Sequence, residues 1–91
     1  MDNLKYTIPK HVIFTEFDDD TGLLVDLNTK RYHQLNETGA FIWRTLANGK
    51  TSTAVANALT ESYEVDAEHA ATSVNKFIAA LEAQKLINTS A

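Results

Sequence analysis

The fold is decided by the stretch "KRYHQLNETGAFIW", residues 30–43, in which the chain changes its periodicity. The first half alternates as a strand does, whereas the second half places apolar residues at helical spacing. Asn36 stands at the change and is predicted to cap the helix, because its side-chain oxygen can accept a backbone N–H of the first turn. A short polar strand therefore runs directly into a helix, and the sequence raises the question of what that strand is for.

Length and composition indicate one small globular domain. The chain has 91 residues, of which 44% are hydrophobic and 22% charged, both ordinary values for a globular fold. The apolar runs are far too short to span a bilayer, and the N-terminal residues lack the pattern of a signal peptide. Because the chain has no cysteine, we expect no disulfide and no thiolate site, and a cytoplasmic location is the default.

The charge of the chain argues against a nucleic-acid partner. Its net charge is −4, whereas binding to duplexes depends on clustered lysine and arginine side chains. The three histidines fall on different predicted elements, so no metal site is expected. No serine or threonine stands in a nucleophile motif, and no glycine-rich phosphate loop is present. We therefore expect no cofactor and no catalytic activity.

Three strands are predicted in the first part of the chain. Residues 1–10 are predicted as a flexible arm in which Pro9 prevents a regular strand. Residues 11–17, 23–27 and 30–35 are rich in β-branched, aromatic or alternating residues and are predicted as strands. The last two strands are predicted to form a tight hairpin through the two-residue loop of Asn28 and Thr29, with Asn28 in the left-handed conformation.

Three helices are predicted to follow, capped by Asn36, by Thr51 or Ser52, and by Asp66. The third helix is the longest, because its apolar positions recur at i, i+3 and i+4 over several turns: Ala70, Ala71, Val74, Phe77, Ile78 and Leu81. The domain is predicted to span residues 11–87, followed by a polar tail over 88–91. This order predicts an α+β fold in which helices cover one face of a three-stranded antiparallel sheet, with a helix-turn-helix pair at its end.

The third predicted strand is a candidate for an exposed sheet edge. Natural proteins protect such edges with charge, proline or a covering segment. Here Lys30 and Arg31 guard only the end nearest the hairpin, and residues 32–35 lack such protection.

The sequence as a whole resembles the PqqD-like family, whose members are also called RiPP recognition elements. The resemblance covers about residues 12–87 and rests on features that occur in the family's order and spacing: Tyr32, the run Leu35-Asn36-Glu37-Thr38-Gly39, Trp43, Gly49, Thr51, Tyr63, Val65, Val74, Phe77, Leu81 and the terminal Leu86-Ile87. It implies a winged-helix-like fold with three strands followed by three helices.

The resemblance also implies a site. A precursor's leader peptide would dock as an extra strand beside the third predicted strand, over a cleft shared with the third helix, as strand addition to an open edge allows. The candidate leader-binding residues on the strand side are Lys30, Arg31, Tyr32, His33, Gln34 and Leu35. Those on the helix side are Ala71, Val74, Asn75 and Ile78.

Alternation assigns the side chains of the docking strand to two faces. Leu35 is predicted to lie in the core, and Arg31 and His33 share its face. Tyr32 points the other way, where it would either pack against the second strand or face a ligand; we favour the structural role. The site is therefore predicted mainly as backbone.

The partner enzyme is left open by the sequence. The resemblance is strongest to split lasso-peptide systems, which implies a leader-cleaving cysteine protease as partner. The alternative within the family is the pyrroloquinoline quinone chaperone, whose partner is a radical SAM enzyme. Outside it, a DNA-binding winged helix is disfavoured by Asp66 and Glu68 at the start of the third helix, and an assembly module would dimerise through the strand edge. We favour a monomer.

Overall fold

The computed structural model describes the backbone of residues 5–90 and the side chains of residues 6–88. The strands are β1 (Lys5–Thr7), β2 (Val12–Glu16), β3 (Gly22–Asp26), β4 (Arg31–Leu35) and β5 (Asn88–Ser90), and the helices are α1 (Glu37–Ala47), α2 (Ser52–Ser62) and α3 (Ala67–Ala83). The predicted α+β fold, with three antiparallel strands followed by three helices, is confirmed. Two short strands, β1 and β5, precede and follow this unit in the chain.

The main sheet is antiparallel, with the order β2-β3-β4. Leu24, at the centre of β3, is fully buried, and Trp43 of α1 is only 2% exposed. The ring of Trp43 lies 6.1 Å from that of Phe14 on β2. These contacts place α1 across one face of the sheet, and α2 and α3 complete a single hydrophobic core.

The segments predicted as arm and tail form a second sheet. β1 and β5 pair antiparallel, with Lys5 opposite Ser90 and Thr7 opposite Asn88. The prediction that the first ten residues contain no strand is therefore wrong. Pro9 follows the end of β1 by two residues, so its missing N–H does not interrupt the pairing. Residues 1–4 and 91 lie outside the described residues.

The hairpin before β4 also differs from its prediction. Asp26 pairs with Arg31, so the loop has four residues, 27–30, and the left-handed conformation falls on Lys30 (φ 61°) rather than on Asn28. The Asp26 carboxylate accepts the N–H groups of Asn28 and Thr29 at 2.9 and 3.3 Å. The Asp26 carbonyl accepts the N–H of Lys30 at 2.7 Å. These bonds stabilise the longer loop, so the predicted two-residue turn is wrong.

The predicted helix boundaries are confirmed at their N-termini. The side chains of Asn36, Thr51 and Asp66 each accept the backbone N–H three residues later, at 2.8, 3.2 and 2.7 Å. Gly49 follows α1 with a φ of 85°, a conformation that glycine adopts without steric cost. The cap at Asn36 fixes the direction of the chain as it passes from β4 into α1.

Candidate functional site

β4 is an open edge of the main sheet. It pairs with β3, and no other strand in residues 5–90 lies on its outer side. The prediction that this strand is an edge is therefore confirmed. An open edge presents unpaired N–H and C=O groups to any extended chain that approaches it.

The hydrogen-bond register shows which backbone groups face outward. The N–H of Leu27 donates to the carbonyl of His11 at 2.8 Å, so the odd-numbered residues of β3 bond to β2. In an antiparallel sheet the residues of a strand bond alternately to its two neighbours. The even-numbered residues of β3 therefore bond to Arg31, His33 and Leu35. It follows that the N–H and C=O groups of Tyr32 and Gln34 point to the open edge.

The side chains of β4 divide between two faces as alternation predicts. Leu35 is 7% exposed, which confirms its place in the core. His33, opposite Leu24, shares this face and is half-buried, whereas Arg31 is exposed. Lys30 lies in the loop before the strand rather than on the edge itself.

Tyr32 lies on the outer face of the sheet, opposite Val25. Its side chain is 71% exposed, so the predicted structural role against the second strand is wrong. The residue therefore combines an outward-facing backbone with a side chain that is accessible to a ligand.

A groove opens beside the end of β4, where the chain enters α1 and passes close to α3. Its volume is about 640 Å³. Leu35, Ile42 and Phe77 supply the apolar surface, and none of the described residues that line it is charged. The full lining is Thr21, Gln34, Leu35, Asn36, Thr38, Gly39, Ile42, Ser73 and Phe77. A space with this lining accepts uncharged side chains better than charged ones. We call this space the edge groove.

The face of α3 that lines the edge groove differs from the one expected from the sequence. Ser73 and Phe77 line it, and their spacing of four places them on one helical face. Ala71 and Asn75 instead line a separate pocket of about 340 Å³ between α2 and α3. Val74 and Ile78 are 1% and 5% exposed and belong to the core. Of the predicted site residues, Gln34 and Leu35 of β4 line the edge groove. The predicted residues of α3 do not, and Ser73 and Phe77 line it instead.

Gly39 contributes backbone, and no side chain, to the lining of the edge groove. A Cβ atom at this position would stand 3.5 Å from the Cβ atom of Leu35 and 3.2 Å from the Oδ1 atom of Asn36. The absence of a side chain therefore leaves backbone as part of the groove floor. The sequence analysis names Gly39 only within the run of residues that resembles the family. A glycine in the first turn of a helix has no side chain and so adds nothing to the apolar periodicity.

A smaller pocket adjoins the edge groove and shares Thr38 and Ser73 with it. Its volume is about 210 Å³, and its remaining lining is Leu59, Tyr63, Val65 and His69. The hydroxyl of Tyr63 donates to Glu37 at 3.2 Å, and its ring packs edge-on against Phe41. Burial and the Glu37 carboxylate together raise the pKa of Tyr63, so its hydroxyl stays protonated at neutral pH. We call this space the distal pocket.

The described residues hold other features that bear on function. Among the side chains of residues 6–88, no group of three or more histidines and carboxylates lies close enough to hold a metal ion. None of the described helices is long and apolar enough to cross a membrane. The first turn of α3 exposes Asp66 and Glu68, and such charges repel the phosphates of a duplex.

Comparison with known proteins agrees with this geometry. The sequence pattern of the family described as coenzyme PQQ synthesis protein D (PqqD) matches residues 22–87. The solved structure "TbiB1 in Complex with the TbiA(beta) Leader Peptide" is 28% identical and superposes with a TM-score of 0.85 over 93% of this chain and 98% of that one. The structure "Lasso peptide synthetase B1 complexed with the leader peptide" is 25% identical, with a TM-score of 0.84 over 92% and 98% of the two chains. No curated protein matches the sequence.

Proposed function

Because this chain belongs to the PqqD family, we propose that it is a RiPP recognition element that binds the leader segment of a ribosomally made precursor peptide as an added β-strand on β4. The observation that carries the proposal is the open edge, at which Tyr32 and Gln34 turn their backbone groups outward. Backbone bonding along an edge supplies affinity with little demand on sequence, and adjacent pockets supply specificity. The edge groove is such a pocket.

The matched structures support the same ligand class. Both are complexes with a leader peptide, and both superpose on nearly the whole of this chain. Since no strand in residues 5–90 pairs with the outer side of β4, a leader peptide there would extend the main sheet from three strands to four. The chain itself would act without catalysis.

The bound leader would then be presented to a processing enzyme in the cytoplasm, where the precursor is made. A leader-cleaving cysteine protease is the partner we propose, because the solved structure described as a lasso peptide synthetase B1 lies among the matches. The protein would act as a monomer, since a dimer formed through β4 would occupy the docking edge.

The family's own description supports a second candidate. The match to coenzyme PQQ synthesis protein D favours a chaperone that delivers its precursor to a radical SAM enzyme. Both candidates use the same edge and differ in the enzyme that receives the leader. Reconstitution with each enzyme type separates them: the correct one acts on its precursor faster when this chain is present.

The docking mode is tested by a pair of variants at one position, Tyr32→Pro and Tyr32→Ala. Proline removes the outward N–H of Tyr32 while leaving the hydrogen bonds to β3 in place, and edge strands tolerate it. Alanine keeps the N–H and removes the exposed ring. The probes are the TbiA(beta) leader peptide and 20-residue peptides selected from a random library for binding to this chain. Binding is measured by isothermal titration calorimetry.

We expect Tyr32→Pro to weaken binding about tenfold or more, because it loses one hydrogen bond worth ~0.5–1.5 kcal/mol and disturbs its neighbours. Tyr32→Ala should lose less, since a cross-strand side-chain contact contributes only ~0.2–1 kcal/mol. Circular dichroism must show that both variants fold. A folded proline variant that binds the peptide as the unchanged protein does would contradict the proposal, as would a TbiA(beta) leader that does not bind together with a library that yields no binder.

A further inference from the structure

The main sheet carries an apolar row on the face turned away from the helices. Ile13 of β2 and Tyr32 of β4 both lie directly opposite Val25 of β3, so the three side chains are neighbours across the sheet. The adjacent Leu24 points the other way and is fully buried in the core. None of the three residues of the row belongs to that core.

Every large hydrophobic side chain of residues 6–88 that is exposed lies on this face. The four are 43% to 71% exposed: Ile13, Phe17, Leu27 and Tyr32. Phe17 and Leu27 directly follow β2 and β3 and continue their pairing, since the N–H of Phe17 donates to Thr21 at 2.9 Å and that of Leu27 to His11 at 2.8 Å. Alternation therefore places both on the side of Val25.

No charged side chain of β2, β3 or β4 lies on this face. Beside the first row is a second, in which Leu23 stands between Thr15 and Gln34. An antiparallel sheet with one solvated face ordinarily turns polar side chains to the water. A contiguous apolar patch instead indicates a surface that contacts another protein. We call the surface formed by the two rows and by Phe17 and Leu27 the outer face.

The outer face is continuous with the docking edge through Tyr32. The backbone of Tyr32 points to the open edge, whereas its side chain lies on the outer face. A leader bound to β4 would widen this face by one strand, and every second side chain of the leader would join it. A protein that covers the outer face therefore touches the bound leader as well, as an enzyme that processes the leader does.

The size of the outer face argues against a second copy of this chain as its occupant. Three strands ~4.8 Å apart, with five residues at ~3.3 Å each, give a surface of about 14 by 17 Å, or roughly 240 Å². A stable complex buries ~800 Å² on each partner. A processing enzyme reaches a larger total because it also binds the presented leader, and two linked contacts reinforce each other.

We propose that the outer face binds an uncharged, apolar surface of the enzyme that processes the leader. The inference rests on the proposed function and adds the surface through which the enzyme is recruited. Ile13 lies on β2, the strand furthest from the open edge of β4. A substitution there therefore weakens recruitment of the enzyme and leaves leader binding intact.

The test uses substitutions at the two ends of the outer face. Ile13→Lys introduces a charge, and Ile13→Thr removes apolar surface while retaining a β-branched side chain that favours a strand. Leu27→Lys introduces the same charge outside the strands, so the test does not depend on one variant that folds. Ala79→Lys is the matched control at an exposed position of α3.

Two quantities are measured for each variant that circular dichroism shows to be folded. Calorimetry gives the affinity for the TbiA(beta) leader or a library-selected peptide. Reconstitution with the cysteine protease and with the radical SAM enzyme gives the concentration of this chain at which acceleration is half-maximal. Sedimentation equilibrium reports whether the unchanged chain dimerises.

We expect both lysine variants of the outer face to raise the half-maximal concentration about fivefold or more, because an unpaired charge is costly to bury. Ile13→Thr should raise it about two- to threefold through lost apolar contact, and Ala79→Lys should leave it unchanged. Leader affinity should be unaltered in all four. Equal losses with Ala79→Lys, a matching loss of leader affinity, or a dimer of the unchanged chain that Ile13→Lys dissociates would overturn the inference.

The outcomes also separate this inference from the proposed function. If a peptide binds, Tyr32→Pro weakens it and an enzyme responds to the unchanged chain, yet both lysine variants of the outer face act as the unchanged chain does, only this inference fails. If no peptide binds, or neither enzyme responds to the unchanged chain, the proposed function fails with it.

Discussion

The ring of Phe77 on α3 lies 3.4 Å from the point where a Cβ atom on Gly39 of α1 would stand. Gly39 and Phe77 both line the edge groove, which therefore lies between α1 and α3. A methyl group added at Gly39 would therefore enter the edge groove beside β4. Because backbone bonding along a strand edge demands little of the ligand's sequence, the side chains of this groove can supply selectivity.

Gly39→Ala is expected to lower leader affinity several-fold while changing stability by less than about 1 kcal/mol. The added methyl group enters the groove floor, but alanine favours the helix over glycine by ~0.5–1 kcal/mol, which offsets the tight contact with the Oδ1 atom of Asn36. Calorimetric titration with a binding peptide and urea denaturation measure the two effects. Unchanged affinity would show that bound peptides do not reach the floor of the groove.

Lys30→Gly is expected to raise the free energy of unfolding by up to about 1 kcal/mol. Lys30 adopts a φ of 61°, a conformation that costs a residue with a side chain ~1–2 kcal/mol. The greater freedom of glycine in the unfolded chain offsets part of the gain. Lys30→Gln is the control, because it removes the charge and retains the strain. Should the glutamine variant gain as much stability in urea denaturation, charge and not conformation would be the cause.

The Asp26 carboxylate is expected to make stability depend on pH in the acid range. Burial acts to raise the pKa of Asp26, but hydrogen bonds from Thr29 and Asn28 and the nearby His11 outweigh it, and the pKa lies below its usual value of 3.8. A lowered folded-state pKa stabilises the protein above the unfolded value, and this contribution is lost as the pH falls through the folded one.

The measurement compares thermal unfolding of the unchanged protein and Asp26→Asn from about pH 6 to about pH 2. The unchanged protein should have the higher unfolding midpoint at about pH 6, and the two midpoints should converge below the usual carboxyl range. Parallel curves at all pH values would mean that the pKa of Asp26 is the same in the folded and unfolded chain.

Much of the fold could be predicted because local signals agreed with the tertiary structure. Asn36, Thr51 and Asp66 each combine a capping side chain with a following apolar period, and each caps its helix in the structure. The position of β4 at the sheet edge followed from the order of three consecutive strands. A sequence folds to one structure when its local preferences, such as helix caps and apolar periods, agree with the tertiary fold.

The errors have physical causes that a sequence does not reveal. The pairing of β1 with β5 joins segments some 80 residues apart in the chain, and neither strand carries an apolar period. On β4, alternation placed Tyr32 on the face opposite Leu35, but it does not show whether that face is covered. The tertiary structure leaves Tyr32 71% exposed there.

The helix side of the site was missed for a related reason. Apolar periodicity identifies the face of α3 that is buried in the core. The edge groove is instead lined by residues beside that face. Ser73 and His69 are polar, so they give no periodic signal, and Phe77 was assigned to the core stripe. Its ring is half-buried and forms part of the groove wall. A search for residues four apart that border the apolar stripe would have found this face.

The most direct test of the docking strand is amide hydrogen exchange of β4, followed by NMR with and without a binding peptide. In the free protein the amides of Tyr32 and Gln34 should exchange rapidly, while that of His33, bonded to β3, should be protected. On binding, Tyr32 and Gln34 should become protected as well. Protection of those two amides already in the free monomer, or continued rapid exchange in a saturated complex, would contradict strand addition at β4.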